Sequence, residues 1–185
     1  MKSFEQYFAD FARHMPDEYL QYGYDTGKPN GMAASLESLE FFRSQVDEDG
    51  VILDCGAGAS SWMLRQWFPN VVTLESKRME DYLYAVQGLL RRAGIPCDRF
   101  RCDIEDAPPA DYAFVDYPYK INCADIALTK KGVKAIYIDD CDTRPECGVN
   151  RAGAYALAKR EGWMIRDCPE AIDQYGRWGV LLEKR

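Results

Sequence analysis

Apolar positions recur along this chain with two different periods, and the change between them outlines the architecture. Residues 4 to 15 place Phe4, Phe8, Phe11, Ala12 and Met15 on one helical stripe, and Pro16 stops it. An irregular connector rich in tyrosine and glycine follows, from Tyr19 to Gly31. Ser35 then caps a second helix whose apolar face carries Leu36, Leu39, Phe42 and Val46. Beyond Asp49-Gly50 short apolar runs alternate with amphipathic stretches. The runs predict strands at residues 51 to 54, 71 to 75, 98 to 102, 112 to 115, 133 to 138, 163 to 166 and 178 to 183. Helices are predicted at about 60 to 68 and about 79 to 93, the latter with Leu83, Val86, Leu90 and Ala93 inward and Gly94 and Pro96 closing it. Thr143-Arg144-Pro145-Glu146 fits a capping box that opens a further helix, which Gly162 ends. Strands spaced by helical segments imply a mostly parallel sheet with helices on both faces, and the last strand-loop-strand implies an antiparallel edge. The expected organisation is one α/β domain over residues 33 to 185, preceded at 1 to 32 by an accessory helix and connector, a candidate lid.

Composition narrows the class of partner. At 185 residues the chain is long enough to bury a core without staples. Its formal charge of −7 argues against a nucleic-acid duplex or a membrane surface, which recruit clustered Lys and Arg, and leaves room only for a small local basic patch. The seven cysteines, Cys55, Cys97, Cys102, Cys123, Cys141, Cys147 and Cys168, form no C-x-x-C pair and read as reduced thiols. A single histidine, His14, argues against a Cys/His zinc site or a histidine-dependent triad. Acids interrupt the amino-terminal apolar residues, so no signal peptide is expected, and no segment approaches the roughly 20 apolar residues of a membrane span. A cytoplasmic enzyme or binding protein is the expectation.

The chemistry concentrates at the predicted strand ends. Val51-Ile52-Leu53-Asp54-Cys55-Gly56-Ala57-Gly58-Ala59-Ser60-Ser61 reads as strand, glycine turn and helix start, and the next strand ends in Glu75. Glycines let backbone approach a ligand, and a carboxylate on the second strand can accept both hydroxyl protons of a ribose. An adenosine-containing cofactor is therefore expected. Asp54, two residues before Gly56, suits a ligand bearing an ammonium or sulfonium and would repel a pyrophosphate. Further acids, Asp103, Asp116, and Asp139 with Asp140, close later strands on the same edge, where such clustering is costly unless it meets donors or positive charge.

Asp54-Cys55-Gly56-Ala57-Gly58-Ala59-Ser60 resembles motif I of the class I S-adenosylmethionine-dependent methyltransferases, with Ser60 at the last glycine of the pattern. The resemblance extends in element order over roughly residues 33 to 183 and implies a single Rossmann-like domain with a seven-stranded sheet whose last strand is antiparallel. It implies that Gly56 and Gly58 line the methionine part of the cofactor, with Asp54 near its amino group. Glu75 would hold the ribose hydroxyls, Asp103 would meet the adenine amino group, and Asp116 would sit beside the transferred methyl. A nucleotide- or nicotinamide-binding protein without methyl transfer, and a catalytically silent interaction module, are the competing readings.

Two resemblances compete at the fourth strand. Asp116-Tyr117-Pro118-Tyr119 is similar to the Asp/Asn-Pro-Pro-Tyr/Phe signature of amino methyltransferases acting on nucleic-acid bases or glutamine amides, with Tyr117 in place of the first proline. Asp116 with Asp139 and Asp140 resembles the divalent-cation site of catechol-type O-methyltransferases, whose hard oxygen ligands would suit Mg2+ or Ca2+. That family's base is a lysine three residues beyond the first acid; Lys120 stands four beyond. The plain alternative is that Asp139 meets solvent and Asp140 or Asp142 caps the following helix. Tyr22, Tyr24, Tyr117, Tyr119, Tyr175 and Arg177 are the candidates for a small-molecule acceptor pocket, aromatics to sandwich a planar group and Arg177 to pair with an anion. Equally, Tyr175-Gly176-Arg177-Trp178 reads as a tight turn whose aromatics only pack. The expected acceptor group is a hydroxyl or an amine.

Overall fold

The structure is a computed structural model that describes residues 4–19, 34–101, 103–117 and 119–184. Its helices are α1 (Phe4–His14), α2 (Leu36–Ser44), α3 (Ala59–Trp67), α4 (Glu80–Arg92), α5 (Lys120–Lys130) and α6 (Gly148–Glu161). Its strands are β1 (Ile52–Cys55), β2 (Val71–Leu74), β3 (Phe100–Arg101), β4 (Tyr112–Val115), β5 (Ala135–Ile138), β6 (Met164–Asp167) and β7 (Val180–Glu183). They form one seven-stranded sheet in the order β3-β2-β1-β4-β5-β7-β6. The strands β1 to β5 pair in parallel, and β7 enters antiparallel between β5 and β6. Strand order reverses between β1 and β4, which leaves a crevice beyond their carboxyl ends.

The period-two pattern explains the layers. Ile52, Val71, Tyr112, Phe114 and Tyr137 face a core that holds Phe8 and Phe11 of α1, Leu39 and Phe42 of α2, Leu64 of α3, and Leu83, Val86 and Leu90 of α4. Their strand neighbours Leu53, Val72, Ala113, Val115, Ile136 and Ile138 face a second core with Cys123, Ala124 and Ala127 of α5 and Ala154, Leu157 and Ala158 of α6. Both faces of every central strand are thus covered, which is why these strands read as nearly continuous apolar runs. The amino-terminal helix is seated on the domain: Phe11 of α1 meets Trp62 of α3 edge to face, ring centroids 5.5 Å apart.

Most expected elements are present, with local departures. Ser35 caps α2, its hydroxyl accepting the Ser38 N–H at 3.0 Å. Gly162 ends α6 in the left-handed conformation at φ 71°. Ala93, expected to point inward, is the exposed C-cap residue of α4. The Thr143 capping box does not form. Asp142 instead accepts the Arg144 N–H at 2.8 Å, and a 3₁₀ turn at Pro145–Cys147 leads into α6. The pattern also gave no sign of α5. Its buried face is made of Cys123, Ala124, Ala127, Leu128 and the stem of Lys120, too little apolar contrast for a periodic stripe. Among the described residues no helix is long and apolar enough to cross a membrane.

Candidate functional site

The glycine turn lies over the switch point. Gly56 adopts φ 115°, a left-handed conformation that favours glycine, and a Cβ there would fall 2.0 Å from the Asp116 carbonyl oxygen. The Asp116 N–H donates to the Cys55 carbonyl at 2.8 Å, so the two strand ends are tied just where the loop leaves β1. Glu75 follows β2 on the other side of the loop and is almost fully buried. Its Oε2 accepts the Ala57 N–H at 3.2 Å and its Oε1 the Ser76 N–H at 2.7 Å. A carboxylate has about four lone-pair positions, so two remain for a ligand's hydroxyls. Burial pushes the Glu75 carboxyl up to about 7, against the pull of those two N–H groups.

Asp54 makes its hydrogen bonds inside the protein. It is fully buried, and its oxygens accept from Ser60 Oγ (3.1 Å), Ser61 Oγ (2.5 Å) and Thr73 Oγ1 (2.9 Å). Ser61 Oγ in turn accepts the Gly58 N–H at 3.1 Å, and Ser60 Oγ also lies 3.2 Å from the Gly56 carbonyl. The acid therefore pins the start of α3 and the glycine turn to β2. Ser60, at the last glycine of the motif, is a working member of this knot. Burial raises the Asp54 carboxyl to about 6 despite the three hydroxyl donors.

On the β3 side of the crevice, Asp103 is exposed and caps the turn at Ile104–Asp106 by accepting the Glu105 N–H at 3.2 Å. Tyr117 sits on this side as well, beside Ser76 and within electrostatic reach of Glu75 and Asp103. Burial, aided by the Glu75 charge, pushes its phenol above the ordinary range. Tyr117, a candidate for the acceptor pocket, thus has Glu75 and Asp103, the two candidate cofactor-binding acids, among the charges that act on it. Tyr119, half exposed, has its ring 6.5 Å from that of Tyr117.

On the opposite side the predicted acid set does come together. One carboxylate oxygen from each of Asp116, Asp139 and Asp140 lies within 4.8 Å of the others. The Lys120 ammonium is among them, 2.9 Å from Asp116 Oδ1, 2.9 Å from Asp140 Oδ2 and 3.2 Å from the Asp139 carbonyl. Burial works against the lysine charge, but the Asp116, Asp140 and Asp139 charges outweigh it and hold the ammonium above its usual pKa. Asp139 is not turned to solvent: it is buried, and its Oδ1 accepts from Ser38 Oγ at 2.9 Å, which also contacts Tyr137 OH at 3.0 Å. Burial pushes the Asp139 carboxyl up to about 7, with Asp140 and Asp116 adding to the rise. Asp140, at φ 50°, is the one non-glycine residue with positive φ among those described, a conformation that aspartate tolerates better than most.

The loop between β6 and β7 closes this side. Arg177 is buried, donates from Nε to Asp173 Oδ2 at 2.7 Å, and brings Nη1 to 3.7 Å from Asp140 Oδ1. Its guanidinium lies 5.3 Å from the Tyr175 ring centroid, and Tyr175 is exposed at the rim. The tight turn forms around Asp173, and it delivers Arg177 to the acid cluster. Tyr22 and Tyr24 lie outside the described residues, as does Pro118. Ser38 and Thr73 carry no signal in the sequence, because hydroxyls that act through another side chain leave no spacing pattern.

Strand order, switch point and an acid-bearing glycine turn define the class I S-adenosylmethionine-dependent methyltransferase fold. No protein-family model matches the chain, and no curated protein matches it in sequence. In structure it is similar to the O-methyltransferase TomG from Streptomyces achromogenes, involved in tomaymycin synthesis and solved in complex with SAM, with a TM-score of 0.64 and 18% identity over 100% of both chains. It is also similar to precorrin-6y C5,15-methyltransferase from Geobacter metallireducens (TM-score 0.58, 16% identity, 84% of this chain and 93% of that one). A third similar structure is the 23S rRNA methyltransferase ErmE (TM-score 0.56, 13% identity, 82% of this chain and 69% of that one). At such identities the likeness is one of fold, and these three proteins differ widely in what they methylate.

Proposed function

We propose that the chain is an S-adenosylmethionine-dependent methyltransferase acting on a hydroxyl or amine of a small molecule. The observation that carries the reading is Glu75, a buried carboxylate held by the Ala57 and Ser76 N–H groups at the rim of the glycine turn, across the switch point from Asp116. In this reading Gly56 and Gly58 flank the methionine portion, Glu75 receives the ribose hydroxyls, and Asp103 and Tyr117 flank the adenine. Asp116 stands at the methyl end. Methyl transfer asks mainly for alignment of the acceptor with the departing sulfur, so positioning supplies much of the rate. The rim residues Tyr119 and Tyr175 and the buried Arg177 suit a small acceptor, and the net charge of −7 favours it over nucleic acid. A cytoplasmic location belongs to the same proposal, supported by seven cysteines without a paired spacing.

Isothermal titration with S-adenosylhomocysteine and with the oxidised nicotinamide dinucleotide tests the assignment. Saturable heat with the former supports it; heat with the dinucleotide alone rejects it. Glu75→Ala is expected to weaken S-adenosylhomocysteine binding by about 1.5 to 3 kcal/mol, the range for hydrogen bonds to a charged group. An unchanged dissociation constant in a folded variant removes Glu75 from the site.

The same carboxylate makes binding depend on pH. Its free-state pKa is about 7, and ribose hydroxyls donate best to the ionised form, so binding lowers that pKa and expels a proton at pH values below it. Affinity is therefore expected to rise as pH increases toward about 7 and to level off above it, with a slope of at most about tenfold per pH unit. Titrations between pH 6 and 8 check this. A flat profile, or a slope that persists in Glu75→Gln, assigns the effect elsewhere.

A further inference from the structure

The three acids that meet beside the crevice have the spacing of a hard-cation site, yet a cation already bridges them. We infer that the Lys120 ammonium is the resident cation of this cluster, standing in for a divalent ion, and that the site operates without a metal. Each of its three N–H bonds has an acceptor: Asp116 Oδ1, Asp140 Oδ2 and the Asp139 carbonyl. An ion shared by Asp116 and Asp140 would have to bridge the same two carboxylates that the ammonium bridges. It would then face an adjacent positive charge, or displace a lysine that is only 8% exposed and has no other described partner.

Two further oxygens of the set already have neighbours. Asp139 Oδ1 receives the Ser38 hydroxyl, and that carboxylate is 3% exposed. Asp140 Oδ1 makes no hydrogen bond, and the groups facing it are cations: Arg177 Nη1 at 3.7 Å and Arg144 Nη2 at 3.9 Å, each shared with another acid, Asp173 and Asp142. A divalent ion entering between these acids would therefore meet the Lys120 ammonium at close range and two guanidinium groups, themselves shared with Asp142 and Asp173, beside Asp140. Lys120 opens α5 one turn beyond Asp116, an i to i+4 spacing that brings its ammonium back to the strand end.

On the methyltransferase reading, Lys120 is a positioning residue. It has no lone pair and no uncommitted proton for an acceptor, and it acts by holding Asp116 and Asp140 in place at the methyl end. The lysine that sequence comparison suggested as a base is on this geometry the fixed counter-charge, and methyl transfer would proceed in chelator.

Manganese is the probe. The full chain, wild type and Lys120→Met, is freed of metal and titrated with Mn2+ while the electron paramagnetic resonance signal of the free aquo ion is followed. S-adenosylhomocysteine binding is measured by calorimetry in the same samples. The wild type is expected to leave Mn2+ free, whereas Lys120→Met, with two carboxylates and the Asp139 carbonyl released from the ammonium, is expected to bind one equivalent about tenfold or more tightly than wild type. A purely structural lysine would not produce that gain. One equivalent of Mn2+ bound by the wild type overturns the inference, as does a folded Lys120→Met that binds no better. Should Lys120→Met fail to fold by circular dichroism, Lys120→Gln takes its place, one atom shorter but keeping two N–H donors while removing the charge. Loss of the S-adenosylhomocysteine signal in wild type would count against the methyltransferase reading alone, since the cation assignment rests on the Mn2+ result.

Discussion

Gly56→Ala is expected to destabilise the fold by about 3 kcal/mol or more, combining left-handed backbone strain with overpacking, and to abolish measurable S-adenosylhomocysteine binding. The residue sits at φ 115°, and the added methyl would fall 2.0 Å from the Asp116 carbonyl oxygen and 2.8 Å from the Asp116 carbonyl carbon. Both obstacles are backbone atoms, so no side-chain rotation relieves them. To admit the methyl, the end of β4 must move away from β1, breaking the 2.8 Å bond from the Asp116 N–H to the Cys55 carbonyl. Asp116 also holds Lys120, so the displacement reaches the acid cluster as well as the glycine turn. Urea unfolding and calorimetric titration measure the two effects. A variant with the wild-type midpoint and affinity would show that the turn can yield, and the close approach at the switch point would lose its proposed importance.

Asp54→Ala is expected to cost about 3 kcal/mol or more, because a buried donor left without its acceptor costs about 1 to 3 kcal/mol and Asp54 serves three. Ser60, Ser61 and Thr73 all donate to it, and Ser61 in turn anchors the Gly58 N–H. Asp54→Asn keeps one acceptor oxygen and should lose less, as read from the denaturant midpoint. Ligand binding separates two accounts of this residue. The motif resemblance places Asp54 near the cofactor's amino group, whereas the hydrogen bonds commit both its oxygens to hydroxyls inside the protein. Asp54→Asn should therefore weaken S-adenosylhomocysteine binding less than Glu75→Ala does. The opposite order would restore Asp54 to direct contact with the ligand.

Much of the architecture was legible because its signals are local. Val51 to Cys55, Val71 to Leu74 and Ala135 to Ile138 are apolar runs bounded by turn residues, and such runs have few homes other than a central strand covered on both faces. Gly56 and Gly162 announce themselves by type, since positive φ favours glycine. The element that escaped notice, α5, has a face of alanine, cysteine and a lysine stem, which pack closely against β4 and β5 yet carry little hydrophobic contrast. The capping of α6 was also misread. Neither Thr143 nor Asp142 caps the helix, whose N-cap is Cys147 without a side-chain bond; Asp142 pairs with the Arg144 side chain at 2.6 Å and accepts its N–H, and a 3₁₀ turn intervenes.

The sequence by itself determined the kinds of elements, their order, and the fact that acids stand at the carboxyl ends of successive strands, because side-chain period and turn chemistry act over a few residues. Which acids share a neighbourhood, and what neutralises them, was decided by the tertiary structure. Parallel pairing of β4 with β5 brings Asp116 to Asp139 and Asp140, the first residue of a helix with little sequence signal places Lys120 among them, and the β6–β7 loop adds Arg177. Both Asp54 oxygens, likewise, are engaged inside the protein because α3 and β2 supply three hydroxyls within hydrogen-bond reach. Electrostatic partnership depends on distance in space, which residues far apart in the chain acquire only when the sheet has formed.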